Sequence, residues 1–179
     1  MKKMTSISAF NAFRDQLCKA QDVNHPMVRI CLGPGCLAQG ADRVAAAFKR
    51  SLAEKKLPVK VAPLIKETGC DGFCRVGPLV KIGPSDLFYT RVSPDDVAEI
   101  VEKTLMKGEV IERLLYNDNG RLYHTAAEIP FYKRQQKIAT RNLGIIDPLE
   151  IADALAAGAY GAAARALTAM SPDEVVNDI

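Results

Sequence analysis

The chain has 179 residues, 48% of them hydrophobic and 25% charged, with a formal net charge of +3. That balance suits a soluble globular protein of ordinary domain size, alone or with an appendage. It excludes a membrane-spanning helix, since no apolar run reaches the roughly 18 residues a span requires. So small a charge, with no basic stripe interleaved with aromatics, also argues against a nucleic-acid partner.

Met1-Lys2-Lys3-Met4 brings two positive charges with no apolar stretch behind them, so export is not expected and the cytoplasm is the default compartment. Ile7, Phe10, Phe13 and Leu17 recur at helical spacing and predict an amphipathic helix over 6–21. Cys18 sits beside Leu17 on that face and reads as a buried structural thiol. Val28 to Leu32 predicts a buried strand, running into the stretch RICLGPGCLAQG at 29–40. Val44, Ala47, Phe48 and Leu52 share one face of a helix predicted over 42–56, ending near Leu57-Pro58. Val59 to Leu64 predicts a second strand, followed by ETGCDGFCRVGP at 67–78.

Leu79 to Ile82 and Leu87 to Val92 predict two strands joined by the turn residues Gly83-Pro84-Ser85-Asp86. Ser93-Pro94-Asp95-Asp96 predicts a helix start with Ser93 as N-cap, and the helix should end at Gly108. Beyond it, 109–130 is turn-rich around Asn117-Asp118-Asn119-Gly120 and reads as a linker. A basic segment over 131–141 follows, then a helix start at Asp147-Pro148. The Ala-rich stretch from Ile151 to Met170 is interrupted by Gly158 and Gly161, which helix–helix packing would explain. Ser171-Pro172-Asp173-Glu174 repeats the capping pattern before the last residues.

Five cysteines, an odd number, argue for a reducing compartment where clustered thiols bind metal or do redox chemistry. Four of them form Cys31-x4-Cys36 and Cys70-x3-Cys74, each pair in a loop after a predicted strand. If those strands are parallel neighbours, both loops open on the same end of the sheet and the four thiolates surround one centre. A structural zinc and paired disulfides are the competing readings, but a [2Fe–2S] cluster fits the spacing best. Gly33, Gly35, Gly69, Gly72 and Gly77 suit loops that need positive φ angles or a close backbone approach to sulfur. Lys66, Arg75 and Lys81 could tune such a centre, although plain solvated charge is the preferred reading of all three. His25 and His124 lie far from any second metal motif.

With LGPGC and GCDGFCRVGPLV, the cysteine pattern resembles the thioredoxin-like [2Fe–2S] ferredoxins, and Cys31, Cys36, Cys70 and Cys74 match the family's four ligands. The resemblance implies an α/β fold, a thioredoxin-like [2Fe–2S] ferredoxin domain followed by a helical C-terminal extension. It divides the chain into a ferredoxin domain at 1–108, a linker at 109–130 and a helical segment at 131–179. PFYKRQQKIATRNLGIIDPLEIADALAAGAYGAAARALTAMSPDEVV resembles the opening of NADH-binding flavoprotein subunits. Together the two resemblances imply an electron-transfer module at the front of a longer NADH-dependent oxidoreductase subunit, of the quinone-reducing, hydrogenase or bifurcating type. FMN, NAD and a [4Fe–4S] cluster are then expected only downstream of this segment. Other iron–sulfur and flavoprotein subunits are the implied partners, and homo-oligomers are compatible with the sequence. The rival reading is a subunit-docking domain whose cysteine site is vestigial or zinc-filled, with Lys133, Arg134, Lys137 and Arg141 as an exposed clamp.

Overall fold

The structure is a computed structural model that describes residues 5–20, 26–55 and 64–179. It divides into two compact units, one of Met1–Asp22 with Pro148–Ile179 and one of Val23–Asp147. The larger unit is built on a four-stranded sheet of order β2-β1-β3-β4. Strand β1 (Met27–Cys31) pairs parallel with β2 (Leu64–Thr68) and antiparallel with β3 (Val80–Gly83), which pairs antiparallel with β4 (Leu87–Tyr89). Two helices follow β1: a single turn, α2 (Pro34–Leu37), and the longer α3 (Ala41–Lys55). The expected strand over 59–64 is met at Leu64, where β2 begins; residues 59–63, the Leu57-Pro58 helix end and His25 lie outside the described residues.

Alternation along β1 separates two faces of the sheet. Val28 and Ile30 point into a core with Val44, Phe48, Val80, Ile82, Tyr89, Val97 and Ile100, all buried. On the other face, Arg29 stands opposite Lys66 of β2 and Lys81 of β3. A one-residue slip of register would exchange these two sets, so burial pins the pairing.

The predicted helix after Ser93 exists, but Ser93 does not cap it. α4 (Asp96–Glu99) starts from Asp95 and widens into a π-helical stretch, Ile100–Met106. Ser93 instead donates from both its N–H (2.8 Å) and its hydroxyl (2.7 Å) to the Asp96 carboxylate. Gly108 adopts φ 72 and ends the helix as expected.

Residues 109–130 are not a linker. Ile111, Leu114, Leu115, Tyr123 and Ile129 are buried, β5 (Tyr116–Asp118) and β6 (Arg121–Tyr123) form a hairpin, and a single turn, α5 (Pro130–Lys133), follows. Asn119 (φ 51) and Gly120 (φ 91) make its two-residue turn, which needs positive φ at both positions. Tyr89 anchors this segment: its hydroxyl lies 2.7 Å from Thr104 Oγ1 and accepts the Ile111 N–H at 3.0 Å. Tyr89→Phe is expected to destabilise the chain by about 1–3 kcal/mol, because a buried N–H loses its acceptor. Equilibrium urea unfolding measures this, and a midpoint equal to that of the unsubstituted chain would contradict the assignment.

In the smaller unit, α1 (Ile7–Ala20) accompanies α6 (Ile151–Ala156), α7 (Gly161–Ala169) and α8 (Pro172–Asn177), the last held by the expected Ser171–Glu174 capping box. α1 therefore groups with the C-terminal helices rather than with the sheet. Cys18 is exposed rather than buried, its Sγ 3.6 Å from the Ala156 carbonyl, because α1 turns Phe10 inward as its buried side chain. Helix–helix packing does not explain Gly158 and Gly161: among the described residues nothing lies within 4 Å of a Cβ on either. Gly158 instead supplies the positive φ of 94 that follows α6.

Candidate metal centre

β1 ends at Cys31, and the chain then passes Gly33 into α2, with Pro34 in its first turn and Cys36 carried inward to complete burial. β2 ends at Thr68 and leads through Gly69, Cys70, Asp71 and Gly72 (φ 89) to Phe73 and a 3-10 turn, Cys74–Val76. Of the five glycines near the cysteines, Gly72 is the one that needs positive φ. Because β1 and β2 run parallel, both loops leave the same end of the sheet. The Leu32 N–H donates to the Thr68 carbonyl at 2.9 Å, tying the loops together where they begin.

The two cysteine loops interlock at three glycines. A Cβ on Gly33 would lie 2.6 Å from Cys70 Cβ, and one on Gly35 would lie 2.8 Å from Cys74 Cβ. On the return side, a Cβ on Gly77 would lie 2.8 Å from Cys36 Sγ. Gln39 closes the same gap, donating from one amide nitrogen to the Gly35 carbonyl (2.7 Å) and the Cys74 carbonyl (2.9 Å). All four cysteines of the predicted site are thus brought together, while Cys18 belongs to the other unit.

The sulfurs stand as two pairs. Cys70 Sγ is 3.7 Å from Cys74 Sγ, and Cys31 shares a hydrogen bond with Cys36. Among the described residues no three His, Cys, Asp or Glu side chains converge on a point that would hold a single ion. Two thiol pairs suit a dinuclear cluster better than the single tetrahedron of a structural zinc. Backbone N–H groups point at sulfur: those of Asp71 and Gly33 at Cys31, that of Leu79 at Cys36 and that of Gly72 at Cys70. The bond to Cys36, against the cost of burial, holds Cys31 down to about 6, and the same bond and burial push Cys36 up. Burial raises Cys70. The donor set, the amides aimed at sulfur and the close glycine approaches all fit a [2Fe–2S] cluster.

Asp71 escaped the sequence reading. Its buried carboxylate pairs with Lys81 Nζ at 2.8 Å and accepts from the Tyr132 hydroxyl at 3.1 Å. Burial first, then the Asp71 charge, push the Tyr132 hydroxyl above its usual range, so it remains a donor. Lys81 is therefore an ion-paired, largely buried cation and not a solvated one, whereas Arg75 is exposed. Lys137 departs from the expected clamp, being half-buried with its ammonium 5.4 Å from the centre of the Tyr132 ring; Lys133, Arg134 and Arg141 are exposed. Phe73, between Cys70 and Cys74, contacts Tyr116, Phe131 and Tyr132, so the second loop sits in an aromatic nest. The sequence signal for that nest was the clustering of Phe and Tyr at 116–132, which helical and strand periodicity do not weigh. His124 is exposed and takes no part in the site.

A family model described as thioredoxin-like [2Fe–2S] ferredoxin matches residues 6–105. A [2Fe–2S] ferredoxin of Clostridium pasteurianum is 35% identical over 79 residues, which cover 44% of this chain and 76% of that protein. The crystal structure of the thioredoxin-like [2Fe–2S] ferredoxin from Aquifex aeolicus, 33% identical, aligns with 53% of this chain and 99% of its own, at a TM-score of 0.47. The NADP-reducing hydrogenase subunit HndA of Solidesulfovibrio fructosivorans is 33% identical over 79 residues, 41% of this chain and 43% of that subunit.

Proposed function

The chain belongs to the thioredoxin-like [2Fe–2S] ferredoxin family, and from that premise we propose that it relays single electrons as one module of a nicotinamide-linked, multisubunit oxidoreductase. Cys31, Cys36, Cys70 and Cys74 would hold the cluster as two pairs. When bound, the cluster supplies a centre that gains and loses one electron. The remaining work falls to the chain itself. Amides of Gly33, Asp71, Gly72 and Leu79 offset negative charge on the sulfurs, and the buried positions of Cys31 and Cys36 limit water. Such a relay needs no bond-making side chain. The observation that carries the reading is the interlock of the two cysteine loops at Gly33, Gly35 and Gly77.

Two findings support the finer assignment to a nicotinamide-linked assembly. The segment 130–176 resembles the opening of NADH-binding flavoprotein subunits, and a hydrogenase subunit is among the chain's relatives. FMN, NAD and a [4Fe–4S] cluster would belong to other parts of that assembly, where hydride is split into single electrons. The assembly isolated from its source cells should develop the EPR signal of a reduced [2Fe–2S] cluster on addition of NADH or NADPH. If dithionite raises that signal and neither nucleotide does, the nicotinamide reading is overturned while electron carriage stands.

A further inference from the structure

Residues 131–144 lie beyond the segment that matches the family, yet they close on the second cysteine loop from several directions. Phe131 stacks on Phe73 with ring centroids 4.9 Å apart. The Tyr132 hydroxyl donates to Asp71 Oδ2 at 3.1 Å, and Lys137 Nζ stands 3.8 Å from Asp71 Oδ1. A Cβ on Gly144 would collide with Asp71 Oδ1, so this backbone passes directly over the carboxylate. Leu143 Cδ2 would lie 2.9 Å from a Cβ on Gly69. From the sheet side, Lys81 completes the set around Asp71.

Asp71 makes this strap relevant to the centre. Its side chain is 2% exposed, and a carboxylate that deeply buried needs paired donors and cations around it, which Lys81, Tyr132 and Lys137 supply. Its backbone N–H points at Cys31, in the opposite loop. One residue therefore joins the first cysteine pair, the second loop and the strap.

We propose that Tyr132 and Lys137 are positioning residues which, through Asp71, hold the Cys70–Cys74 loop and screen a negative charge beside the cluster. The inference rests on the proposed function. An added electron makes the centre more negative, so an unscreened carboxylate nearby disfavours reduction and a screened one does so less. Loss of either donor therefore lowers the midpoint potential, and the loss acts through the Asp71 side chain that both donors reach.

The test is a set of EPR-monitored redox titrations on the reconstituted full chain. Tyr132→Phe and Lys137→Gln are each made alone and in the Asp71→Asn background, with amide exchange at 69–74 followed in each protein as purified. Both single substitutions should lower the midpoint potential; in the Asp71→Asn background Tyr132→Phe should not move it, and Lys137→Gln should move it less. Exchange at 69–74 should quicken by about tenfold in Tyr132→Phe, the effect of losing one hydrogen bond to a charged group. Unchanged midpoints, or equal shifts in both backgrounds, overturn the proposal. Lys137→Gln removes a half-exposed side chain and keeps the test decisive if Tyr132→Phe folds poorly. A chain with no [2Fe–2S] signal before any substitution would fail the proposed function instead, and the exchange data would still report on the strap.

Discussion

Cys36→Ala and Cys74→Ala are each expected to abolish the visible absorption and EPR signal of a [2Fe–2S] cluster, whereas Cys18→Ser leaves both at full strength. Cys36 is completely buried between Leu79 and the Gly77 backbone, and Cys74 lies 3.7 Å from its partner sulfur. Removing either sulfur leaves three ligands where the cluster takes four. Cys18 offers the contrast within the same chain, because it is exposed on α1 in the other compact unit. Metal-binding free energy is also folding free energy, so the two alanine variants should melt well below the loaded chain. Iron content and thermal melting of the reconstituted variants check this; retention of full cluster by either alanine variant would remove that cysteine from the ligand set.

Gly33→Ala is expected to cost the chain about 1–3 kcal/mol and to sharply reduce cluster assembly. Backbone conformation does not forbid the change, because Gly33 has φ −62 and ψ 156, angles alanine adopts freely. With open space around it, the same substitution would stabilise by about 0.4–1 kcal/mol through the unfolded chain. Sterics reverse that sign. The new methyl would sit 2.6 Å from Cys70 Cβ and 2.8 Å from Cys70 Cα, and the backbone of the opposite loop cannot swing aside as a flexible side chain can. Relief requires the loops to part, which separates Cys31 and Cys36 from Cys70 and Cys74. Gly161→Ala is the control: among the described residues nothing lies near its Cβ position, so there the stabilising term should prevail. Urea midpoints and iron loading of both variants decide between these outcomes, and a Gly33→Ala chain as stable and as well loaded as the original would contradict the interlock.

The cysteine spacing and the apolar alternation of β1 were enough to predict which residues meet, because both are local patterns tied to strand and loop periodicity. The hairpin at 116–123 was also announced locally, by Asn119-Gly120, but its strands are three residues long and partly polar, too short for alternation to register. Ser93 misled because its serine-proline-acid sequence fits a capping pattern equally well in reverse, with Asp96 accepting from Ser93. Cys18 misled because one position on a helix moves a side chain by 100°, enough to turn it from the Phe10 face to solvent. The Asp71 network had no sequence signal at all. Tyr132 and Lys137 lie more than sixty positions from the carboxylate they reach, and only the folded sheet brings them to it.

The most direct test is quantification of iron, zinc and acid-labile sulfide in the anaerobically reconstituted full chain, with an EPR spectrum after reduction. Two irons and two sulfides per chain with a reduced [2Fe–2S] signal are the predicted result. One zinc per chain, with neither sulfide nor an EPR signal, would contradict the account and leave a metal-stapled docking domain in its place.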